Sequence, residues 1–441
     1  MTTEWRRGSV GELQKEGLLL VEDGNHGEIR PRHDEFSESG NCFFIRAADM
    51  DGGRVLFESA QKINDMAFRR IRKGIGKGGD VLFSHKGTVG KLAVAPLDSP
   101  PFVCSPQTTF WRTLDESQLD RRFLYYYMQS RDFVEQWMSR KGETDMADYV
   151  SLTAQRQFEV AIPPIEDQRA IASVLGALDD KIEQNRRANR ALEELAQATF
   201  RAWFVDFEPV KTKAAGQSSF PGMPPTVFSA LADRLTDSSI GFVPEGWAVR
   251  PIGDLVTVKG GGTPSTKVPA YWEGGKHFWA TPKDLSGLQD PVLLSTGRSI
   301  TDAGADSISS GVMPKNTVLL SSRAPVGYIA LAKTPVAINQ GFIAMICDGP
   351  LPPHYILHWT RSALEEIKSR ASGTTFPEIS KTAFRPIPAV VPDRIVVEAF
   401  ERFAQSLFDI IEENVRQSNR LTDLRDYLIP RLLCGAVRVK P

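Results

Sequence analysis

A heptad repeat decides the fold of this chain, and it lies at residues 166–207, EDQRAIASVLGALDDKIEQNRRANRALEELAQATFRAWFVDF. Its seam residues follow alternating steps of four and three, which is the spacing of a coiled coil: Ile171, Leu175, Leu178, Ile182, Asn185, Asn189, Leu192, Ala196, Thr199 and Trp203. About 40 residues at about 1.5 Å each make a rod about 60 Å long. A rod of that length with one apolar stripe needs a partner helix.

The same register recurs near the C-terminus and offers that partner. Its seam consists of Phe400, Ala404, Leu407, Ile411, Asn414, Ser418, Leu421, Arg425, Leu428 and Leu432. We therefore expect an intramolecular antiparallel coiled coil, and pairing between two separate chains is the alternative. The residues that should set its register are Ile182, Asn185, Leu192, Ile411, Asn414 and Leu421. Asn185 and Asn414 occupy equivalent seam positions, where a polar residue lowers stability but fixes register; polar gaps tolerated in a helical bundle are the alternative interpretation.

The second helix belongs to an internal repeat that covers the chain. Trp5 with VGEL at 10–13 returns as Trp247 with IGDL at 252–255. The string DVLFSHKGTVG at 80–90 returns as TVLLSSRAPVG at 317–327, and VS at 150–151 returns as IS at 379–380. The order is kept throughout, which indicates one duplication with an internal pseudo-twofold relation.

The repeat predicts an α+β fold with two similar globular α/β domains and two long helices. The globular domains are predicted at 1–163 and 247–391, the central long helix at 164–208, a linker at 209–246, and the C-terminal long helix at 392–435. Within the domains, short apolar runs between Gly, Pro and Ser predict strands at 81–83, 91–95, 317–320, 327–331 and 341–346. Amphipathic spacing predicts helices at 121–140 and 354–370.

Composition describes an ordinary globular protein. The 441 residues include 53 Lys plus Arg and 54 Asp plus Glu, for a net charge of -1, and 41% of them are hydrophobic. The chain has no apolar run of about 18 residues and no apolar stretch near its start, so we expect neither a membrane span nor export, and a cytoplasmic location. Its four cysteines lie far apart without a CxxC pair, which argues against a zinc site and a disulfide framework.

Signatures of catalysis are missing from the sequence. The chain lacks GxxxxGK[ST], HExxH and GxSxG, as well as the Asn/Asp-Pro-Pro-aromatic string of an amino-methyltransferase. We therefore predict no catalytic residue, no metal site and no cofactor in this chain.

Basic residues cluster where they could contact DNA. The candidate contacts are Arg69, Arg70, Arg72, Lys73, Lys77, His85, Lys86, Lys91, Lys259, Lys267, Lys283 and Arg323. The first five surround Gly74 and Gly76, a composition suited to a flexible loop along phosphates, and a solvated basic loop is the alternative. Lys86 and Arg323 occupy matched positions, and such cations can read guanine in the major groove. The aromatic residues among the later lysines suit DNA contact, or they simply fill the core.

Several strings make the chain resemble the specificity subunit of a type I restriction-modification system. They are GTP at 262–264 with YW at 271–272, ATPKDL at 280–285, SSRAPVG at 321–327, NQG at 339–341, PPIEDQ at 163–168, WFVDFEPV at 203–210 and VPEGW at 243–247. Each string is weak alone, but together they cover nearly the whole chain and include the repeat.

The resemblance implies a function and a set of partners. Members of this family have two target-recognition domains that each read one half of a split DNA sequence, and the helix pair between them acts as a ruler. The resemblance implies double-stranded DNA, two methyltransferase (modification) subunits and two restriction/translocase subunits as partners. S-adenosylmethionine, ATP and magnesium would then belong to the partner subunits. His85-Lys86 stands where the second copy has Ser322-Arg323, so the two half-sites should differ.

Other classes of protein remain as alternatives at this point. They are a coiled-coil scaffold that binds only protein, a specificity protein that acts without a nuclease, and a self-contained methyltransferase or nuclease. A salt-sensitive preference for duplex DNA would argue against the scaffold. Methylation by the chain alone would establish the enzyme.

Overall fold

The fold was determined as a computed structural model that describes residues 5–142, 148–323, 325–373 and 377–439. Ala324, in the string at 321–327, therefore lies outside the described residues. The chain divides into two units: unit 1 comprises residues 1–181 and 420–441, and unit 2 comprises residues 182–419.

Unit 1 is built from short strands cut by Gly and Pro turns, followed by short capped helices. Its strands are β1 (Arg6–Ser9), β2 (Leu19–Asp23), β3 (Cys42–Ile45), β4 (Met50–Asp51), β5 (Gly53–Val55), β6 (Gln61–Ile63), β7 (Ile75–Gly76), β8 (Val81–Ser84), β9 (Leu92–Val94), β10 (Phe102–Cys104), β11 (Thr108–Thr113) and β12 (Glu159–Ile162). Its helices are α1 (Val10–Lys15), α2 (Asp65–Arg70), α3 (Arg121–Tyr127), α4 (Arg131–Met138), α5 (Leu152–Gln155) and the beginning of the long helix α6 (Ile165–Phe204).

Unit 2 contains the second copy and most of the second long helix. Its helices after α6 are α7 (Glu208–Ala214), α8 (Pro225–Ala230), α9 (Pro282–Ser286), α10 (Asp302–Asp306), α11 (Pro353–Ser362), α12 (Leu364–Ser369), α13 (Lys381–Phe384) and α14 (Arg394–Leu433), which ends in unit 1. Its strands are β13 (Leu235–Ser238), β14 (Gly241–Pro244), β15 (Ala248–Pro251), β16 (Thr257–Gly260), β17 (His277–Ala280), β18 (Val292–Leu293), β19 (Ser299–Ile300), β20 (Val318–Ser321), β21 (Ile329–Ala332), β22 (Val336–Ile338), β23 (Phe342–Ile346) and β24 (Pro388–Val391).

The two copies have the same sheet topology. In unit 1 the larger sheet has the strand order β2-β11-β8-β9-β5-β4, and the smaller has β6-β3-β10-β7. In unit 2 the matching orders are β16-β23-β20-β21-β18 and β19-β17-β22; β4 has no counterpart among the described strands of unit 2, and β7 is matched there by a single bridge, Met313 with Val336. Parallel and antiparallel pairs also correspond, since β3 pairs with β10 and β17 pairs with β22 in parallel. We call the parts at 6–162 and 248–391 the first and second domains; the predicted repeat and the mixed α/β class are confirmed.

Each domain has the same layers of core. One apolar layer fills the space between the two sheets, with Leu82 and Phe102 in the first domain and Leu319 and Val336 in the second. Another lies between the smaller sheet and the short helix that follows it, α2 or α10. That helix begins at a capping side chain in both copies, Asn64 or Thr301.

The two long helices each contain 40 residues and run antiparallel within each unit. In unit 1, Asp179 Oδ1 lies 2.7 Å from Arg425 Nη1. In unit 2, Asn414 Nδ2 donates to Asn189 Oδ1 at 2.8 Å, while Phe200 and Phe400 pack with ring centroids 5.6 Å apart. Later residues of α6 therefore meet earlier residues of α14, which confirms the intramolecular antiparallel pair.

The predicted register residues take up the following places. Ile182, Asn185 and Ile411 are buried, Leu192 packs against the apolar core of unit 2, and Asn414 and Leu421 are half-buried. Asn185 Nδ2 donates to Gln417 Oε1 at 2.9 Å and to Ser418 Oγ at 3.2 Å. These bonds give both asparagines polar partners across the seam.

Two predicted elements differ from the structure. The helices expected at 121–140 and 354–370 are each two shorter helices, α3 with α4 and α11 with α12. The first divides because the Ser130 hydroxyl accepts from the amide of Phe133 and starts a new helix. The segment 209–246, predicted as a linker, contains α7, α8 and the hairpin β13-β14, and it buries Val210, Val227 and Phe228 in the core of unit 2.

Candidate nucleic-acid interface

Lys86 and Arg323 occupy the same position in the two domains. Each lies two residues after a buried strand of the larger sheet, β8 or β20, and each forms an isolated β-bridge, Lys86 with Tyr149 and Arg323 with Glu378. Lys86 is exposed, with its Nζ 5.9 Å from the centroid of the Tyr149 ring. Arg323 is half-buried, with its Nη1 3.8 Å from Glu378 Oε2.

The backbone beside these cations is also matched. The amide of His85 donates to Gln107 O and its carbonyl accepts from Val150 N, both at 2.9 Å. Ser322 makes the same two bonds, from its amide to Gly341 O at 2.8 Å and from Ile379 N to its carbonyl at 3.0 Å. A duplicated backbone frame therefore presents one cation in each domain.

Two predicted DNA contacts of the first domain have structural partners instead. His85 is only 3% exposed, and its Nδ1 lies 3.1 Å from Val150 O, so its ring does not reach the surface. Burial lowers the pKa of His85, against the opposing effect of Asp23. Lys91 is half-buried, and its Nζ donates to the carbonyls of Ala47 and Met50 at 3.1 and 3.2 Å. His85 and Lys91 are therefore engaged within the fold, and their contact with DNA stays a prediction.

The basic cluster at the end of α2 and in the loop after it includes one arginine that forms an ion pair within the domain. Arg70 donates to both carboxylate oxygens of buried Glu35, at 2.7 and 2.6 Å. These bonds, with one from the amide of Arg32, lower the pKa of Glu35 to about 2. Arg70 is thus a structural residue, while the other four candidates are exposed: Arg69, Arg72, Lys73 and Lys77.

Gly74 shows that this loop is held in place rather than free. Its φ is +76°, and an added Cβ would lie 2.4 Å from the amide nitrogen of Asn25. Its amide donates to Glu22 Oε1 at 2.7 Å and its carbonyl accepts from Cys104 N at 2.8 Å. The loop is therefore anchored to the rest of the domain at this glycine, where only a residue without Cβ fits.

In the second domain the segment Asn339-Gln340-Gly341 accepts hydrogen bonds from two of the strings that carry the family resemblance. Gln340 Oε1 accepts from Thr263 Oγ1 at 2.6 Å, and Gly341 O accepts from Ser322 N beside Arg323. Lys267 and Lys283 are exposed, and Lys259 is half-buried on β16. Hydrogen bonds thus join the GTP, SSR and NQG strings of the sequence.

Sequence reasoning missed Arg298, which is exposed in the second domain. Its guanidinium carbon lies 3.7 Å from the centroid of the Trp272 ring. The tryptophans were visible in the sequence as candidate surface aromatics, but no local pattern connects them to an arginine so far along the chain.

The chemistry available on these surfaces is that of charge and hydrogen bonding. Exposed Lys and Arg side chains can neutralise phosphates, and an arginine fork can contact base edges. Over the described ranges, no group of three or more His, Cys, Asp or Glu side chains is arranged to hold a metal ion. No helix in the described part of the chain is long and apolar enough to cross a lipid bilayer.

Comparison with known proteins gives one family. The model of the type I restriction modification DNA specificity domain matches twice, at residues 25–194 and 244–417. The HindI specificity subunit of Haemophilus influenzae is 25% identical over 99% of this chain and 100% of its own length. The MjaIX specificity subunit of Methanocaldococcus jannaschii is 37% identical over 42% of this chain and 43% of its own. The crystal structure of a type I S subunit from M. genitalium has the same fold, with a TM-score of 0.57 over 98% of this chain and 97% of that one, at 13% identity.

Proposed function

The chain belongs to the family of type I restriction-modification DNA specificity subunits, and from that premise we propose that each of its domains reads one half of a split DNA target. The family match covers both copies, so the chain is a non-catalytic DNA-recognition subunit rather than a protein scaffold or a self-contained enzyme. The observation that carries the two-part reading is the duplicated frame that presents Lys86 in one domain and Arg323 in the other.

The two halves of the target are proposed to differ in sequence. Lys86 is a flexible point charge, whereas Arg323 carries a planar fork that can bond guanine O6 and N7 together. The surfaces around them also differ, because in the first domain Arg70 donates to the Glu35 carboxylate and Lys91 donates to a backbone carbonyl. Two identical half-sites would not suit such different surfaces.

The long helices are proposed to act as the ruler and to dock partner subunits. Asn185 bonds Ser418, and Asn414 bonds Asn189, which are the same contact in the two copies of the repeat. Equivalent surfaces on a pseudo-twofold pair suit two copies of one partner, and we propose two methyltransferase subunits there. Two restriction/translocase subunits would join through them in the full complex.

The remaining proposals concern cofactors and location. S-adenosylmethionine, ATP and magnesium would bind to the partner subunits and serve methylation and translocation there. A subunit that selects sites on DNA must act where that DNA is. We therefore propose that this subunit acts in the cytoplasm.

The test is methylation of a random-sequence DNA library by this chain with its cognate methyltransferase subunit, mapped by sequencing. We expect a split motif of two short specified blocks around unspecified bases. A continuous motif, or methylation that does not depend on this chain, would overturn two-part recognition. As a control, the chain alone with S-adenosylmethionine should leave the library unmethylated.

A further inference from the structure

Arg298 lies over a pair of tryptophans in the second domain. Its guanidinium carbon is 3.7 Å from the centroid of the Trp272 ring and 5.5 Å from that of Trp279. The two indole rings meet edge to face, with centroids 5.1 Å apart and an interplanar angle of 89°. Trp279 is only 4% exposed, whereas Arg298 is exposed. Arg298 therefore lies at the surface over Trp272 and Trp279, and the second of these is buried in the core. We call this pair of rings the tryptophan platform.

Hydrogen bonds fix both tryptophans of this platform. The indole N–H of Trp272 donates to Ser265 O, and that of Trp279 donates to Gly262 O, both at 3.1 Å. A cation over an aromatic face is attracted by the ring quadrupole. Since the rings cannot turn without losing these bonds, the platform restrains the guanidinium above them.

The backbone of Arg298 is held as firmly as its side chain. Its carbonyl accepts from Trp279 N at 3.0 Å. Asp284 Oδ1 accepts from Gly297 N and Asp284 Oδ2 accepts from Thr281 N, both at 2.8 Å. Asp284 thereby ties the turn before Arg298 to the start of α9, the helix that carries Lys283.

Hydrogen bonds and chain neighbours link the platform to the segment that carries Arg323. Gly262, which accepts from Trp279, is followed by Thr263, whose hydroxyl donates to Gln340. Gly341, next to Gln340, accepts from the amide of Ser322 beside Arg323. Arg298 and Arg323 are therefore joined by a short path of hydrogen bonds within one domain.

Arg298 is available to a ligand. Across the described ranges its guanidinium forms no ion pair with a carboxylate, whereas Arg70 of the first domain pairs with Glu35. A phosphate contact needs only a cation, and a mobile one suffices. Bidentate contact with guanine O6 and N7 needs a fork in a fixed plane, which the tryptophan platform provides.

We propose that Arg298 is a specificity-determining residue that reads a guanine in the half-site of the second domain. The inference rests on the proposed two-part recognition. It adds to that proposal one residue that reads a base, and it names the base as guanine. In the first domain the matched place on the smaller sheet belongs to Gln61, opposite Phe44 on β3. The contact with guanine is therefore a feature of one half-site only.

The test is the same library methylation with variants at Arg298. For Arg298→Ala we expect the preference for one G·C pair to fall about tenfold to hundredfold in one half of the motif, with the other half unchanged. Arg298→Lys keeps the charge but loses the fork, so it should relax the same position. Arg323→Ala should alter the same half, because both arginines belong to the second domain. Arg250→Ala, at an exposed arginine of β15 in the separate two-stranded sheet β15-β24, is the matched control and should leave the motif intact.

Several outcomes would overturn the inference while leaving two-part recognition in place. An unchanged split motif with Arg298→Ala would do so, and so would a uniform loss of methylation with no change of motif, which indicates a phosphate contact. Full specificity with Arg298→Lys would show that the fork is not needed. If the wild-type chain gives no split motif, the proposed function itself fails. Since Lys at position 298 retains the cation over Trp272, this variant also separates lost reading from lost folding, and its melting temperature should equal that of the wild type.

Discussion

The two domains share a topology but use their charged side chains differently. In the first domain, Arg112 donates to both carboxylate oxygens of Asp80 at 2.7 Å, and Asp80 is only 1% exposed. The strand register matches these two positions to Thr317 and Ile346 in the second domain. There the hydroxyl of Thr317 simply donates to Pro314 O at 2.8 Å.

The comparison shows that the ion pair does not specify the fold. The same sheet order forms with a buried charge pair in one copy and with a hydroxyl and an aliphatic side chain in the other. A buried pair is costly to break but often replaceable by apolar groups, because both charges must be desolvated. The charged residues of the two domains can therefore differ without a change of fold. Each domain can then carry the charged surface that its own half-site requires.

The largest effect is expected from breaking that ion pair. Arg112→Ala leaves the Asp80 carboxylate buried without its partner and should lower the free energy of unfolding of unit 1 by about 3 kcal/mol. Burial already raises the pKa of Asp80, against the opposing effect of Arg112. The double variant Asp80→Thr with Arg112→Ile copies the second domain and should cost less than about 1 kcal/mol. Urea unfolding followed by tryptophan fluorescence measures both, and equal losses in the two variants would contradict the comparison.

A smaller effect is expected at the matched cations. Arg323→Ala should weaken binding to the cognate duplex by about 2 kcal/mol if it contacts a base, and relax one position of its half-site. Lys86→Ala should relax one position of the other half-site to a smaller extent, because a point charge lacks the fork of an arginine, and it should reduce the slope of log affinity against log salt by about one. Fluorescence anisotropy at several salt concentrations separates the two. An equal change of motif for both variants would show that the two domains read DNA alike.

The sequence predicted the repeat and the long helices because both leave periodic signals. A seam that repeats every seven residues indicates which face of each helix is buried. A duplication shows the same motifs in the same order in both copies, so each copy supports the prediction made for the other. Helix division at Ser130 depends on one capping bond, which periodicity does not report. The fold of 209–246 depends on apolar residues such as Val210 and Phe228 that pack against distant parts of unit 2.

Individual site residues were harder to predict, because their environment comes from elsewhere in the chain. His85 is buried by contact with Val150 and Asp23, and Arg70 is neutralised by Glu35, each far away in sequence. Arg298 acquires its platform only when β17 and the segment before β19 come together. A basic cluster in a sequence therefore predicts a charged surface better than it predicts which cations are free.

The seam asparagines should show a graded loss. Asn185→Ala removes an amide that donates to Gln417 and Ser418, whereas Asn414→Ala removes one that donates to Asn189. We expect each to lower the stability of unit 2 by about 1 kcal/mol, with the larger loss at Asn185. Thermal unfolding measures the difference. A gain of stability in either variant would show that these hydrogen bonds do not stabilise the helix pair.

The smallest effect at neutral pH is expected for a substitution of His358 in the second domain. Its effect on stability appears only in acid. This side chain is 1% exposed, lies among Phe200, Phe400 and Phe408, and has no hydrogen-bond partner among the described residues. Burial lowers its pKa from 6.5 to about 3, and the charge of Arg361 adds to the shift.

The unfolded chain therefore binds a proton at His358 below about pH 6.5, while the folded protein does not do so until about pH 3. Stability is then highest above pH 6.5 and falls as the pH decreases through this window. His358→Phe should leave stability near pH 7.5 almost unchanged and move the acid unfolding midpoint to lower pH. His85→Phe should move it less, because Asp23 opposes the effect of burial there, and the exposed His33→Phe is the control. If His358→Phe leaves the acid midpoint where it is, His358 does not contribute to the acid sensitivity of the second domain.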